Sequence, residues 1–183
     1  MALKWRHAGQ ACITANRVYV QKGVYEKFTQ ILSQKTRELV VGHGSVKNTT
    51  MGPVTTPRSL DKAEAQIADA TQHGGKVVLG GKKLQGTKGY DEGYFFEPTL
   101  ITGAKGDMLI AREETFAPIM ALFEFETEEE VTKRANDTSM GLASCKSVTS
   151  PGLSSELTWG MMQISSRRTL IGRGGCWRTW RRA

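Results

Sequence analysis

The chain has 183 residues, a hydrophobic fraction of 39% and a formal net charge of +7, values that predict one globular domain with a core of its own. They exclude a disordered chain, and the lack of any run of about 18 apolar residues excludes a membrane-spanning helix. The first residues have no apolar stretch of the kind that marks a secretory signal. Three widely spaced cysteines predict a reducing compartment, with the cytoplasm as the first choice and the mitochondrion as the alternative.

The first 148 residues alternate between helical and strand-like patterns. Apolar residues at helical spacing, a Thr-Pro start and a Thr-Glu-Glu-Glu capping box predict helices, whereas β-branched and aromatic runs predict strands. Gly23 is expected to end the first strand before the second helix begins at Val24. This alternation predicts an α/β domain with a mostly parallel sheet flanked by helices. The predicted helices cover residues 1–9, 24–39, 57–72 and 127–136, and the predicted strands cover residues 17–20, 76–79, 95–102, 119–125 and a segment from residue 141.

Most of the positive charge follows Val148. Residues 149–183 contain six arginines, no lysine and one acidic residue, so they contribute +5, whereas residues 1–148 contribute +2. Regular spacing also ends there, and Arg, Gly, Trp and Cys together are typical of guanine-rich codons read in a shifted frame. We therefore divide the chain into a domain of residues 1–148 and an Arg- and Trp-rich tail of residues 149–183, with the hypothesis that the tail is frameshifted or a mispredicted exon.

A thiol near the N-terminus stands in the most informative stretch, where residues 4–12 read Lys-Trp-Arg-His-Ala-Gly-Gln-Ala-Cys. In order and spacing, this stretch and the motifs that follow it resemble the aldehyde dehydrogenase superfamily, and in particular the second half of its succinate-semialdehyde dehydrogenase-like members. The resemblance covers residues 1–148. The further motifs are Ala-Asn-Arg at 15–17, Met-Gly-Pro at 51–53, Gly-Gly-Lys at 80–82, Phe-Phe-Glu-Pro-Thr at 95–99, Arg-Glu-Glu-Thr-Phe-Ala-Pro at 112–118, Ala-Asn-Asp-Thr at 135–138 and Gly-Leu-Ala at 141–143.

The resemblance implies that the fold is part of the aldehyde dehydrogenase catalytic domain. It also implies oxidation of an aldehyde to a carboxylate through a cysteine thiohemiacetal and thioester, with NAD or NADP as coenzyme and succinate semialdehyde as the expected substrate. Members of the family are much longer, and their coenzyme domain precedes the matching region, so the chain alone is expected to be inactive. A small aldehyde and further copies in a homo-oligomer are the expected partners, with no metal, nucleic acid or membrane.

The same resemblance assigns four site residues. Cys12 is the nucleophile, because a thiolate adds to a carbonyl and can leave later. Arg6 holds the distal carboxylate of the substrate, for which the planar guanidinium is well shaped. Glu114 accepts hydrogen bonds from the hydroxyls of the nicotinamide ribose, and Phe116 packs beside that ribose. Without the resemblance, the same residues would indicate a core cysteine, a solvated arginine and a charged turn.

The remaining polar and thiol residues receive no catalytic role. Lys4 is expected at the surface, and Gln10 and Asn16 are expected to be structural through backbone hydrogen bonds near the thiol. Cys145 is interpreted as structural or out of register rather than catalytic, and Cys176 lies in the tail. The three histidines lie too far apart in the sequence to predict a metal site.

Two residues depart from the family pattern, and the sequence also allows two other functional interpretations. Ala117 stands where the family has glycine, and Thr14 stands where some relatives have a second cysteine, so a redox switch is not carried over. The competing class is a binding protein whose interleaved arginines and tryptophans at 173–182 contact single-stranded nucleic acid. A third interpretation is an inert product with exposed sheet edges and apolar faces.

Overall fold

The computed structural model describes residues 2–84, 89–90, 93–138, 144–145 and 161–162. The predicted α/β class is confirmed, since the described chain combines helices with a four-stranded, mostly parallel sheet. The helices are α1 (Ala2–Trp5), α2 (Lys22–Arg37), α3 (Pro57–Gln72), α4 (Leu109–Arg112) and α5 (Glu128–Asn136), with a 3-10 helix at Arg6–Gly9. The strands are β1 (Arg17–Gln21), β2 (Lys76–Leu79), β3 (Thr99–Thr102), β4 (Ile119–Phe125), β5 (Ser144–Cys145) and β6 (Met161–Met162).

Four of the strands form one sheet in the order β1-β4-β3-β2. The central strand β4 runs parallel to β1 and β3, with Val18 opposite Leu122 and Ile101 opposite Ala121, whereas β2 is antiparallel to β3. Residues 119–123 of β4 are all buried, as expected for a strand that is covered on both faces. The predicted mostly parallel sheet is therefore confirmed. Strands β5 and β6 pair with each other in a separate antiparallel ladder.

The two long helices, α2 and α3, bury one face each in the core that surrounds the sheet. Phe28 and Leu32 are the buried apolar residues of α2, and Leu60 and Ala63 begin the buried row of α3. These residues recur at intervals of three and four, which places them on one side of a helix. The proline at the first helical position confirms the predicted start of α3 at Pro57.

Two boundary predictions are wrong. Helix α2 begins at Lys22 rather than at Val24, so Gly23 lies in its first turn, and β1 already ends at Gln21. Strand β3 begins at Thr99 rather than at residue 95. Residues 95–97 instead pair with residues 82–84 through an isolated antiparallel bridge. The short helix α4 was not predicted, since four residues carry too little periodicity to be recognised.

Side-chain hydrogen bonds fix both ends of α5. At its start Thr127 Oγ1 accepts from the backbone nitrogen of Glu130 at 3.2 Å, and Glu130 Oε2 accepts from the backbone nitrogen of Glu126 at 2.9 Å. The Thr127 bond confirms the predicted N-cap, whereas the Glu130 carboxylate bonds to the residue before the cap and not to Thr127 as in a full capping box. At its end the buried Arg17 donates from Nη2 to the carbonyl of Ala135 at 3.0 Å. The helix is thereby tied to the first residue of β1.

Part of the predicted organisation falls outside the described residues. This applies to residues 141–143, to Cys176 and to the tail of residues 149–183 apart from β6. Within the part of the chain that is described, the helices are all too short or too polar to cross a membrane.

Candidate active site

Cys12 lies on a turn between the 3-10 helix and β1. The backbone nitrogen of Thr14 closes this turn by donating to the carbonyl of Ala11 at 2.8 Å. Cys12 and Ile13 are exposed, whereas Thr14 and Ala15 are buried. The thiol is not in a disulfide. Since the buried residues anchor the turn, the thiol is presented to solvent, where a small molecule can reach it.

A left-handed backbone segment precedes the thiol turn. His7, Ala8 and Gly9 have φ angles of 52°, 52° and 77°, a conformation that costs residues with a Cβ about 1–2 kcal/mol each. A Cβ at Gly9 would lie 2.2 Å from the carbonyl oxygen of Ala117. The backbone of this segment therefore lies directly against the loop of residues 113–118, at a distance that only glycine permits.

Gln10 connects the thiol segment to a third part of the chain. Its Nε2 donates to the carbonyls of His7 at 2.9 Å and Pro53 at 3.3 Å. Its Oε1 accepts from the backbone nitrogen of Thr55 at 2.8 Å and from the hydroxyl of Thr55 at 2.9 Å. The side chain thus bonds to two residues of the loop before α3, which fixes the position of the residue two places before Cys12.

Arg6 lines an open cleft of about 770 Å³ beside the 3-10 helix. The cleft is also lined by Gln10, Met51, Pro53 and Phe116. The side chain of Arg6 is exposed and makes no hydrogen bond or ion pair with the described residues. Its guanidinium is therefore available to an anionic ligand. Cys12 is not part of the cleft lining, so the structure brings Arg6 together with Phe116 and leaves the thiol on the adjacent turn.

Glu114 and Phe116 line a second cleft, of about 290 Å³, between the start of α3 and the loop of residues 113–118. Phe116 is 39% exposed and lines both clefts. The neighbouring Glu113 pairs with Lys62 of α3, with 3.1 Å between Oε2 and Nζ. Glu114 has no such partner among the described residues. The two adjacent carboxylates are thus distinguished, since only that of Glu114 is free to accept hydrogen bonds from a ligand.

The loop that carries Glu114 is itself well anchored. The hydroxyl of Thr115 donates to Oε1 of Gln66 on α3 at 2.7 Å, and both side chains are buried. At the end of the loop the carbonyl of Pro118 accepts from the backbone nitrogen of Thr99 at 2.8 Å. These two bonds attach the loop to α3 and to β3. They therefore hold Glu114 and Phe116 in place before any ligand binds.

Lys4 is buried, and the prediction that it lies at the surface is wrong. Its side chain is 1% exposed, and Nζ donates to Oδ1 of Asn16 at 3.3 Å. Burial lowers the pKa of this amine from 10.5 to about 7. Asn16 is itself 7% exposed. Lysine is rarely buried without a charged partner. A lysine in a helix of four residues therefore gave no sequence signal that its side chain is buried.

No metal site is found in the described part of the chain, where no group of three or more His, Cys, Asp or Glu side chains converges. His43 Nδ1 bonds to the hydroxyl of Ser45 at 2.7 Å, and His73 Nδ1 bonds to the carbonyl of Asp69 at 2.8 Å. These histidines stabilise local turns. Cys145 lies in β5.

The fold and the site together define an α/β domain in which a thiol turn and a carboxylate-bearing loop meet at one end of a parallel sheet. The thiol turn precedes β1 and the loop of residues 113–118 precedes β4, and these two strands are parallel neighbours. The sequence pattern of the Aldehyde dehydrogenase family matches residues 1–159. The chain belongs to the aldehyde dehydrogenase family, and the predicted resemblance is confirmed.

Individual relatives agree with this assignment. The chain is 41% identical over 141 residues to "Succinate-semialdehyde dehydrogenase [NADP(+)] 2" of Schizosaccharomyces pombe, covering 77% of this chain and 28% of that protein. It is 42% identical over 141 residues to the glutarate-semialdehyde dehydrogenase of Pseudomonas putida, again covering 77% and 28%. The crystal structure of an aldehyde dehydrogenase from Brucella melitensis superposes with a TM-score of 0.72 at 48% identity, covering 78% and 28%. The chain therefore spans less than a third of the length of each of these three relatives.

Proposed function

We propose that the protein to which this chain belongs oxidises a short aldehyde with a distal carboxylate, succinate semialdehyde first, to the corresponding dicarboxylic acid. The observation that carries the proposal is the unpaired guanidinium of Arg6, which lines an open cleft. Arg6 begins the 3-10 helix, and the turn of Cys12 follows that helix in the chain. The names of the similar proteins, which act on succinate and glutarate semialdehydes, support the same class of substrate.

Cys12 supplies the nucleophile in this proposal. Its thiolate adds to the aldehyde carbon and forms a C–S bond, while the carbonyl oxygen takes a proton and becomes the hydroxyl of a thiohemiacetal. Exposure of the thiol on a closed turn allows this addition without rearrangement of the chain. Since addition needs only a thiolate and an aldehyde, it is a reaction that the chain can perform by itself.

Arg6 supplies selectivity for the acid end of the substrate. A guanidinium can donate two parallel hydrogen bonds to one carboxylate. Because the side chain of Arg6 is exposed, solvent screens the interaction, and we expect it to contribute about 1 kcal/mol, or about fivefold in affinity. A matched aldehyde without the carboxylate should lack this contribution.

The residues of the second cleft fit the ribose of NAD or NADP. Two hydroxyls of a ribose need an acceptor, and Glu114 offers a carboxylate with no partner among the described residues. Phe116, at 39% exposure, offers an apolar face next to it. When bound, the coenzyme supplies the hydride acceptor for the oxidation. Glu114 and Phe116 would hold its ribose, while Thr115 and Gln66 keep their loop in position.

The test is the protection of Cys12 from alkylation. Purified chain is treated with iodoacetamide in the presence of increasing succinate semialdehyde, or of butanal as the four-carbon aldehyde without the acid group. The modification of the Cys12 peptide is then followed by mass spectrometry. We expect both aldehydes to protect Cys12, with succinate semialdehyde effective at about one fifth of the concentration. Cys145 and Cys176 serve as reference thiols in the same sample.

A pair of arginine variants completes the experiment. Arg6→Met should remove the preference for succinate semialdehyde and leave protection by butanal unchanged, whereas the exposed Arg37 of α2, changed to Met, should leave both unchanged. Equal protection of Cys12 by the two aldehydes in the unmodified chain would show that Arg6 does not bind the acid end. Protection by neither aldehyde would refute the role of Cys12 as nucleophile.

A further inference from the structure

The side chains of Lys4 and Asn16, both buried, bond to each other across the segment that contains Arg6 and Cys12, the two residues proposed to bind the substrate. Lys4 lies near the end of α1, and Asn16 immediately precedes β1. Their hydrogen bond, 3.3 Å from Nζ to Oδ1, joins two points that are twelve residues apart. Arg6 and Cys12 both lie between those points. The bond therefore links the helix that leads to the guanidinium with the turn that carries the thiol.

The two ends of this link differ in how firmly they are held. Asn16 is followed by the buried Arg17, which donates to the carbonyls of Arg134 and Ala135 at 3.2 and 3.0 Å and pairs with β4. The Asn16 end is thus attached to the sheet and to α5. The α1 end has only four residues, which is too short for an isolated helix to be stable. Burial of Trp5, which is 2% exposed, packs α1 against the core, and the bond from Lys4 to Asn16 ties this helix to the residue before β1.

The contacts of Gly9 and Gln10 hold the middle of the segment, between Arg6 and Cys12. Gln10 and Gly9 fix the middle of the segment to residues 53–55 and to Ala117. Arg6 lies on the N-terminal side of those contacts, and Cys12 lies on the C-terminal side. In the described chain the side chain of Arg6 has no bond of its own, so its placement follows that of the residues just before it.

We propose that Lys4 and Asn16 form a brace that sets the position of Arg6 relative to Cys12, which makes Lys4 a positioning residue for aldehydes with a distal carboxylate. The inference rests on the proposed function, because it needs Arg6 and Cys12 to bind the two ends of one substrate. Lys4 does not contact the substrate in this scheme. It acts through Asn16, and its effect is on the preference for the acid aldehyde rather than on the thiol itself.

The experiment measures the same alkylation protection in brace variants of the full chain. The preference is the ratio of the butanal and succinate semialdehyde concentrations that give half protection of Cys12, about fivefold in the unmodified chain. Lys4→Met and Asn16→Leu should each reduce it to about onefold, with protection by butanal retained. Asn16→Asp keeps an acceptor oxygen for Lys4 and should retain the preference. The double variant K4M/N16L should match the single variants, since either change removes the same bond.

The outcomes separate this inference from the proposed function. A preference that is present in the unmodified chain and survives in K4M and N16L overturns the brace while leaving the proposed function intact. A preference absent from the unmodified chain overturns both. If Lys4→Met fails to fold, as judged by circular dichroism, the comparison of Asn16→Asp with Asn16→Leu decides the question: equal loss in both variants would contradict the brace, and loss in the leucine variant alone would support it.

Discussion

Replacing Lys4 by Met should raise the stability of the fold at neutral pH, and the gain should disappear as the pH rises. Burial lowers the pKa of the Lys4 amine from 10.5 to about 7. Between these values the unfolded chain holds a proton that the folded chain lacks, so the free energy of unfolding increases with pH in that window. Below about pH 7 both states are protonated, and the full cost of burying the amine is present.

The magnitude follows from the size of the shift. A change from 10.5 to about 7 corresponds to about 5 kcal/mol, at about 1.4 kcal/mol per pH unit. About 4 kcal/mol of this remains at pH 7 and about 2 kcal/mol at pH 9. Met fills most of the same volume but leaves Oδ1 of Asn16 without its donor, which costs about 1–3 kcal/mol. The variant should therefore be more stable by about 2 kcal/mol at pH 7 and about equally stable at pH 9.

Urea unfolding of both chains at a series of pH values between 6 and 9.5 measures this difference. Lys22→Met is the matched control, because the exposed Lys22 has its pKa raised by the hydrogen bond with Glu126. Its ion pair is lost only above the ordinary lysine pKa, so the effect of this variant should not change between pH 7 and 9. A difference between Lys4→Met and the unmodified chain that stays constant from pH 7 to 9 would refute the reasoning.

Three further substitutions test two contacts of the thiol segment and one residue of the second cleft. Gly9→Ala should lower the free energy of unfolding by 2 kcal/mol or more, since it combines a φ of +77° with a Cβ 2.2 Å from a facing carbonyl oxygen; Gly44→Ala, which meets open space, is the urea-unfolding control. Gln10→Met should increase hydrogen exchange at the backbone amide of Thr55, which donates to Oε1 of Gln10 in the unmodified chain. The amides of β4 should stay protected. Glu114→Gln should weaken binding of nicotinamide mononucleotide, measured by saturation-transfer NMR, about tenfold, whereas Glu113→Gln should bind it as the unmodified chain does.

Local sequence patterns were sufficient for most of the fold. The apolar run of residues 119–125 predicted a strand, and β4 has these bounds, with residues 119–123 all buried as in a strand covered on both faces. The N-cap of α5 was visible in the Thr-Glu-Glu-Glu box, whose hydrogen bonds are formed within four residues. The start of β3 was not predictable in this way. Residues 95–97 have strand composition, but their partners lie at 82–84, and nothing local indicates that pairing.

The site could be predicted only as far as its motifs. The Gly-Gln-Ala-Cys segment pointed to the thiol, but its contacts with Ala117 and Thr55 join positions far apart in the sequence. Rules based on residue spacing within one helix or strand do not predict contacts between positions so far apart in the sequence. The burial of Lys4 is a stronger case, since lysine composition argues for the surface. Trp5, the next residue, is 2% exposed, but a tryptophan beside a lysine does not by itself predict that the amine is buried.

The energetics and the position of Lys4 point to the same conclusion. A buried lysine bonded to one amide oxygen lowers the stability of the fold at neutral pH, and an apolar residue of similar size would serve packing better. Its effect on stability therefore does not account for its presence. The proposed brace would account for it, because the bond to Asn16 spans the segment that contains Arg6 and Cys12. The two assays should accordingly diverge for Lys4→Met, with higher stability at pH 7 and a lower preference for the acid aldehyde. A chain that gained stability and kept its preference would show that the lysine contributes nothing to the site, whereas divergence is the pattern expected where function is retained at the expense of stability.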